Sequence, residues 1–373
     1  MNDPKTSLLF LINSLSMGGA ERALVNLVNR LDSKKYSVTV RVLFDGGVNR
    51  EHLASHVKYE FIFRTFIRGV NFLSLAPGTL VYRWIARGKY DVIIPYLHGV
   101  LTKIVARGPS AQRKIAYLHA DMRKSEFFKS FRNDEQVRRC FEAYSVVVAV
   151  SKSVEQAFLE VAPWSTNVMT LYNVFELDDI RDRARAPMDM VLPINARVPV
   201  ICSVGNLTDV KGYARLLRVV NSIISDGIAL NLMLVGEGPE RTNLERYISQ
   251  NGLQKSVFLI GFNENPYRYI KSCDIFISSS YSEGMSSVVV EALALGKPII
   301  ATNCAGMSEI LGPNNEYGII VDNSEHGLKE GLLKLIQNPQ LRKFYANQAI
   351  DGIAKFRPER AVEQFEKLII AVL

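Results

Sequence analysis

The sequence predicts an α/β protein built from two doubly wound parallel sheets in tandem. Short apolar runs alternate with segments of helical apolar spacing along the whole chain, the pattern of buried parallel strands joined by crossover helices. The alternation falls into two series, interrupted by the polar stretch DDIRDRARAPMD at 178–189. A length of 373 residues, with 48% hydrophobic and 22% charged, suits two or three packed domains of about 150 residues and excludes a disordered chain.

In the first series strands are expected near 8–12, 38–43, 92–95, 114–117, 146–150 and 168–171, with helices between them. The apolar run 7–15 is too short to cross a bilayer. It runs into Gly18-Gly19, so it reads as a buried strand, and no signal peptide is expected. The boundary should fall after Asn173, within 175–198, making residues 1–175 the first domain. A second series, near 200–204, 231–235, 257–260, 275–278, 298–301 and 318–321, places a second domain at 176–357. A last helix occupies 358–373. Two such units would turn the carboxyl ends of their strands toward an interdomain cleft, where binding is expected.

Charge narrows the class further. Residues 1–173 hold 24 Lys and Arg against 14 Asp and Glu, whereas the remainder holds 21 against 23. The excess concentrates between Lys103 and Arg139, interleaved with Phe127, Phe128 and Phe131. Such a segment can lie on an anionic membrane surface, or it can be a solvated helix face with its phenylalanines packed inward. No nucleic-acid motif accompanies the charge. The four cysteines are far apart and lack metal-ligand spacing, as expected of buried thiols in a reducing cytosol. No metal or other cofactor is expected.

The stretch SEGMSSVVVEALALGKPII at 282–300 carries the chemistry. Gly284 permits close backbone approach to a ligand, Ser286 and Ser287 can cap a helix, and 288–295 is a helical run closed by Gly296. The N–H groups of Met285, Ser286 and Ser287 would face an anion such as a diphosphate, with the helix dipole adding attraction. Glu291 could accept hydrogen bonds from ribose hydroxyls and Glu283 from a sugar. The plain alternative is a loop charge and a helix-favouring glutamate.

This string resembles the Glu-x7-Glu signature of the retaining glycosyltransferases of family 4, down to the CDIFIS strand before it and the GKPIIA strand after it. The resemblance implies the GT-B fold, two Rossmann-like domains with parallel sheets facing a cleft. It also implies that the last helix crosses back to the first domain, with a plain terminal helix of the second domain as the alternative.

Other positions take roles from their chemistry and from this resemblance. Gly18 and Gly19 precede a helix and are not the GxGxxG dinucleotide fingerprint. In the family the corresponding loop lines the diphosphate and acceptor side; a tight turn without a ligand is the alternative. In SVGNLTDVKG, Gly205 and Lys211 follow a strand, where the lysine could neutralise a leaving diphosphate. This loop resembles the family's Gly-Arg-Leu…Lys-Gly, but Asn206 replaces the usual arginine, leaving Arg215 as a candidate substitute cation. In the family the loops matching Gly236 and Glu237 in VGEGP, and Gly261-Phe262, lie near the nucleotide base; structural glycine turns are the alternative. His98 and His119 sit at consecutive strand ends, with Asp121 and Arg123 nearby. The histidine at 119 resembles one that contacts the donor sugar or acceptor in the family.

No Ser-His-Asp set, zinc motif or Walker loop occurs, nor an obvious general-base carboxylate of the kind an inverting transfer needs. The expected protein is a retaining, metal-independent transferase with Glu283, Lys211 and His119 as catalytic residues. It would move a sugar from a nucleotide sugar, UDP-linked, to a lipid-linked saccharide in bacterial capsule or exopolysaccharide synthesis. It would lie peripherally on the inner face of the cell membrane. The alternatives are a UDP-sugar epimerase of the same fold and a non-catalytic nucleotide-sugar-binding partner subunit.

Overall fold

The computed structural model describes residues 4–67, 78–188 and 198–373. Met1–Phe175 together with Arg357–Leu373 form one unit, and Glu176–Phe356 form the other.

The first unit is organised by a seven-stranded parallel sheet. Its strands are β1 (Thr6–Ile12), β2 (Tyr36–Phe44), β3 (Lys58–Phe63), β4 (Val92–Pro95), β5 (Arg113–Leu118), β6 (Val146–Ala149) and β7 (Val168–Thr170). They lie in the order β3-β2-β1-β4-β5-β6-β7. The centre of β1, Leu8 to Ile12, is covered on both faces, which is why it reads as an unbroken apolar run and not as an alternating strand. The helix Gly19–Arg30 buries Ala23, Leu24, Val25, Leu27 and Val28, a stripe at helical spacing.

Strand β3 is absent from the strands expected above. Its sequence KYEFIF is a half-buried edge strand interrupted by Lys58 and Glu60, so it lacks the continuous apolar signal. Glu60 holds a buried cation of the sheet, accepting from Arg41 Nε at 2.8 Å and Nη2 at 2.6 Å. Arg41 is 2% exposed, and a buried guanidinium requires such a partner.

The terminal helix Pro358–Val372 belongs to this unit. Phe365 stacks on Phe10 at 5.9 Å between ring centroids, and Glu359 and Glu366 pair with Arg30 and Lys35 at 3.0 and 3.4 Å.

The second unit is a six-stranded parallel sheet of β8 (Val200–Val204), β9 (Asn231–Val235), β10 (Val257–Gly261), β11 (Ile275–Ser278), β12 (Ile299–Thr302) and β13 (Ile319–Val321), in the order β10-β9-β8-β11-β12-β13. The charged stretch expected to break the rhythm instead forms a helix, Leu177–Arg183. It buries Leu177 and Ile180 and turns Arg181 to the Ala294 carbonyl at 3.4 Å, so its charges line the solvent side of an amphipathic element.

Strand order reverses between β1 and β4 in the first sheet, and between β8 and β11 in the second. In doubly wound sheets ligands bind beyond the carboxyl ends of the strands at such a point. The loops after β8 and β11, and those after β1 and β4, are therefore where each unit can hold a ligand.

Candidate functional site

In the second unit the loops after β8 and β11 are stitched together by their main chains. Asp209–Lys211 make one tight turn, and Gly212 follows at φ 66°. A side chain there would set its Cβ 2.2 Å from the Ser279 carbonyl oxygen, so only glycine allows the loops to touch. Ser279 Oγ donates to the Lys211 carbonyl at 2.8 Å, and the Tyr281 N–H donates to the Val210 carbonyl at 2.8 Å.

This close approach delivers Lys211 Nζ to within 2.6 Å of Glu283 Oε1. Ser280 Oγ donates to the same oxygen, also at 2.6 Å. The Lys211 and Glu283 side chains are 22% and 12% exposed, a half-sheltered ion pair in which charge interacts more strongly than in bulk water. Both donors converge on Oε1, leaving Oε2 as the oxygen that neither engages.

Ser280 is held from behind. Its carbonyl accepts from Arg215 Nη2 at 2.9 Å, Thr302 Oγ1 at 2.5 Å and Cys304 Sγ at 3.1 Å. Arg215, 2% exposed, also donates to the Ser279 carbonyl through Nε at 3.0 Å and Nη2 at 2.5 Å. A further bond reaches the Asn323 carbonyl at 3.3 Å, and the guanidinium lies 3.8 Å from the Tyr281 ring. The expectation that Arg215 substitutes for the arginine missing at Asn206 is thereby corrected: its guanidinium is spent on main-chain carbonyls. Asn206 itself is exposed.

The helix Ser287–Ala294 starts immediately after this loop. Ser286 occupies its N-cap, but no side-chain cap bond forms, correcting the capping role expected of the serines. Ser286 Oγ is buried and without a partner among the described residues. The first-turn N–H groups, including that of Ser287, are those an α-helix leaves without intrahelical acceptors. Gly284 and Met285 are buried just before it. Glu291, in the second turn, is 5% exposed, and the Tyr267 hydroxyl lies 3.5 Å from its Oε1.

The remaining strand ends of this sheet come together as well. The Gly205 N–H donates to the Val235 carbonyl at 3.0 Å, and the Gly236 N–H to the Gly261 carbonyl at 2.8 Å. A Cβ at Gly236 would lie 2.0 Å from the Gly205 carbonyl oxygen, so the ends of β8 and β9 can approach this closely only because that position lacks a side chain. Glu237 pairs with Arg241 on the surface, and Phe262 is 41% exposed.

In the first unit Gly18 is the N-cap of the helix that begins at Gly19. The anion lying against this helix start is the chain's own Glu21: a Cβ on Gly18 would meet Glu21 Oε2 at 2.0 Å, and Ser16 Oγ donates to Glu21 Oε1 at 3.3 Å. Burial raises the Glu21 carboxyl above its ordinary range.

His98 and His119 follow β4 and β5. The His119 N–H lies 3.4 Å from His98 Nδ1, and the His119 ring sits 5.0 Å from Tyr96 and 6.0 Å from Tyr117. Burial pulls the imidazoles down to about 4 at His98 and about 3 at His119, so both are neutral near pH 7. His119 Nε2 and the Tyr117 hydroxyl have no partner among the described residues. Asp121 and Arg123 are spent on each other at 2.7 and 2.9 Å, and Arg123 also reaches Glu160 at 3.0 Å. Burial alone would raise the Asp121 carboxyl, but the hydrogen bonds and charge of Arg123 outweigh it and hold the group below its usual value.

The basic, aromatic segment takes the inward-packed form. Phe127 and Phe131 rings are 5.1 Å apart, Phe128 stacks on Phe141 at 5.9 Å, and Phe141 packs on Phe158 at 4.8 Å. Several of its cations are paired locally: Lys129 with Glu126, Arg138 with Glu142, and Arg139 with Glu135.

The structure thus assembles Lys211 and Glu283 with a residue the sequence reading missed, Ser280. Its one sequence signal is the SSS run at 278–280, three serines following an apolar strand and all no more than 5% exposed. Thr302, 22 residues along the chain from the Ser280 carbonyl it binds, gave no such signal. Among the described residues no group of His, Cys, Asp and Glu is arranged to hold a metal ion.

Two parallel-sheet Rossmann-like units, each with a strand-order reversal, define the GT-B class of fold. The family models for "Glycosyltransferase Family 4" and "Glycosyl transferases group 1" match residues 17–179 and 187–351, and the chain belongs to this family of glycosyltransferases. The N-acetylgalactosamine-N,N'-diacetylbacillosaminyl-diphospho-undecaprenol 4-alpha-N-acetylgalactosaminyltransferase of Campylobacter jejuni is 33% identical over 48% of this chain and 47% of its own length. The matched segment thus spans about half of that relative. The lipopolysaccharide core biosynthesis glycosyltransferase LpsD of Rhizobium meliloti is 25% identical over 87% of each chain. Among solved structures, Anabaena HepE in complex with UDP superposes with a TM-score of 0.75 at 20% identity, over 98% of this chain and 100% of its own.

Proposed function

We propose that this chain is a retaining glycosyltransferase that moves a hexosyl or N-acetylhexosaminyl unit from a UDP-sugar to a lipid-linked saccharide in bacterial surface polysaccharide synthesis. The observation that carries the reading is the convergence of Lys211 and Ser280 on one oxygen of Glu283, beside the start of the helix Ser287–Ala294. A cation and a ring of main-chain donors can take up the charge that grows on a departing diphosphate. A carboxylate held by one oxygen can offer the other to the hydroxyls of the sugar. Buried Glu291 has the chemistry to receive ribose hydroxyls. The UDP in the HepE complex and the undecaprenol-linked acceptor in the name of the Campylobacter enzyme support the donor and acceptor classes.

In this reading the bond between the anomeric carbon and the diphosphate oxygen breaks as the acceptor oxygen joins the same face of the sugar. The acceptor's proton passes to the leaving phosphate, so no protein base is needed at that step. Lys211 and the helix start, with no metal assigned, stabilise the leaving group, and the neutral imidazoles of His98 and His119 act as hydrogen-bonding groups, not cations. The loops at Gly205, Gly236-Glu237 and Gly261-Phe262 complete the donor and base contacts. The first unit is assigned to the acceptor and the second to the donor, with the protein working at the inner face of the membrane.

The test is a panel of UDP- and GDP-sugars in thermal unfolding, followed by UDP release with lipid-linked acceptors. A ligand present at a hundred times its Kd stabilises by about 2.7 kcal/mol. Absence of stabilisation by every nucleotide sugar overturns the reading, as does full transfer activity in Glu283→Gln.

A further inference from the structure

We propose that Tyr281 is a platform on which a pyranose ring of the saccharide acceptor stacks, beside the carboxylate that the mechanism above gives to the transferred sugar. Tyr281 is 44% exposed, and the loops around it hold it still. Its N–H donates to the Val210 carbonyl at 2.8 Å, its carbonyl accepts from Asn323 Nδ2 at 3.1 Å, and its ring centre lies 3.8 Å from the Arg215 guanidinium. Arg215 is itself 2% exposed and fixed by the Ser279, Ser280 and Asn323 carbonyls. Single apolar side chains on a surface are ordinary. An exposed ring that rests on a buried cation and is bonded through both its main-chain groups is preorganised, with little freedom left to lose when a ligand packs on it.

The groups around the ring suit a sugar. Asn323 Nδ2 also reaches the Asn303 carbonyl at 3.4 Å, which brings Asn303 alongside Tyr281, and Asn303 is exposed. Among the described residues neither the Tyr281 hydroxyl nor the Asn303 side-chain amide has a hydrogen-bond partner. A hydroxyl and a carboxamide each offer both a donor and an acceptor. Val210, 48% exposed, extends the apolar surface. A pyranose presents a face of C–H groups that packs on an aromatic ring, and a rim of hydroxyls that pairs with such donors and acceptors. The ring is also separate from the donor's carboxylate. Ser280 Oγ reaches Glu283 at 2.6 Å, while Tyr281, the next residue, rests on Arg215, so the sugar stacked on Tyr281 is not the one Glu283 holds. The inference deepens the proposed transfer to a saccharide and rests on it.

The test uses the full chain in two assays. One is steady-state transfer from the UDP-sugar that the panel identifies to its saccharide acceptor. The other is saturation-transfer NMR, with UDP present, of chitotriose, maltotriose and a trisaccharide of α-linked N-acetylgalactosamine. Tyr281→Ala should raise the acceptor KM about tenfold, with kcat and the Kd for UDP within about twofold of wild type. Tyr281→Trp should keep the wild-type KM, and Asn303→Ala should raise it about threefold. At least one trisaccharide should give an NMR signal that Tyr281→Ala loses and Glu283→Gln keeps. Retained UDP binding shows that each variant is folded, and Tyr281→Leu replaces the alanine variant should that one not fold. The inference is overturned if no trisaccharide binds, if the acceptor KM is unchanged in Tyr281→Ala, or if kcat falls while KM does not, since the ring then only props Arg215 beneath the Ser280 loop. It is equally overturned if the donor KM rises in place of the acceptor KM, or if the NMR signal is lost in Glu283→Gln and kept in Tyr281→Ala, because the stacked sugar would then be the donor's. A failed nucleotide-sugar panel would instead remove the enzymatic reading, and trisaccharide binding that depends on Tyr281 would still stand.

Discussion

Replacing Ser280 by alanine removes one of the two donors on Glu283 Oε1 and little else. The lost bond is 2.6 Å long and goes to a carboxylate, and hydrogen bonds to charged groups are worth about 1.5 to 3 kcal/mol. Lys211 remains on the same oxygen at 2.6 Å, which places the effect at the lower end. About 1.4 kcal/mol in the transition state corresponds to about a tenfold fall in kcat. The Ser280 carbonyl keeps its bonds to Arg215, Thr302 and Cys304, so the loop should stay in place and the loss of stability should stay below about 1 kcal/mol. In the proposed reading UDP is held by Lys211 and the helix start and not by Ser280, so its Kd should not change. The assay is UDP release with the sugar donor and acceptor the panel identifies, alongside calorimetric binding of UDP and thermal unfolding. A kcat within twofold of wild type, in a protein whose Glu283→Gln variant is inactive, would refute the argument that Ser280 positions this carboxylate.

Lys211→Ala should lower kcat by about a hundredfold or more, the scale expected when a preorganised charge on a leaving group is lost; steady-state kinetics checks it. Arg215→Met should cost about 3 to 5 kcal/mol in urea unfolding, because the carbonyls of Ser279, Ser280 and Asn323 lose their buried donor. Glu60→Ala should destabilise the first unit by about 3 to 5 kcal/mol by stranding the buried Arg41 guanidinium, read from the same unfolding curves. The depressed imidazoles of His98 and His119, at about 4 and about 3, remain neutral in the folded chain at pH 5, whereas the unfolded chain binds their protons below about 6.5. Stability present above pH 6.5 is therefore lost as pH falls, by about 2 kcal/mol per histidine by pH 5. Urea unfolding at pH 7 and pH 5 should show this loss, and it should shrink in His98→Gln with His119→Gln.

Most of the fold could be read because its strands are covered on both faces. A fully buried strand such as 8–12 or 231–235 has nowhere to put a polar residue, so it stands out as an apolar run, and loop glycines mark its end. The same reasoning explains the omissions. Strand β3 lies at an edge with Lys58 and Glu60 in it, and the helix Leu177–Arg183 is short and carries five charges on its exposed side, so neither has the apolar signal. The basic segment around residue 130 was ambiguous in sequence because helix faces are decided by what packs against them. Its phenylalanines found Phe141 and Phe158, and Lys129, Arg138 and Arg139 found acids three or four residues away.

At the candidate site the division is similar. Glu283, Gly284 and Glu291 stand close along the chain, and their spacing alone announces a carboxylate, a turn and a helix start. Arg215 and Asn206 were given their parts by proximity in sequence to Lys211, and here only the folded chain could decide. Arg215 is one helical turn from Lys211, yet its guanidinium enters the interior and binds carbonyls more than sixty residues away. Local spacing sets what a short segment can become, since helix and strand periodicity act over a few residues. Which donor meets which acceptor across the sheet depends on the order of the strands, and that order brings the loop after β8 against the loop after β11 and sets Lys211 and Ser280 on one oxygen of Glu283.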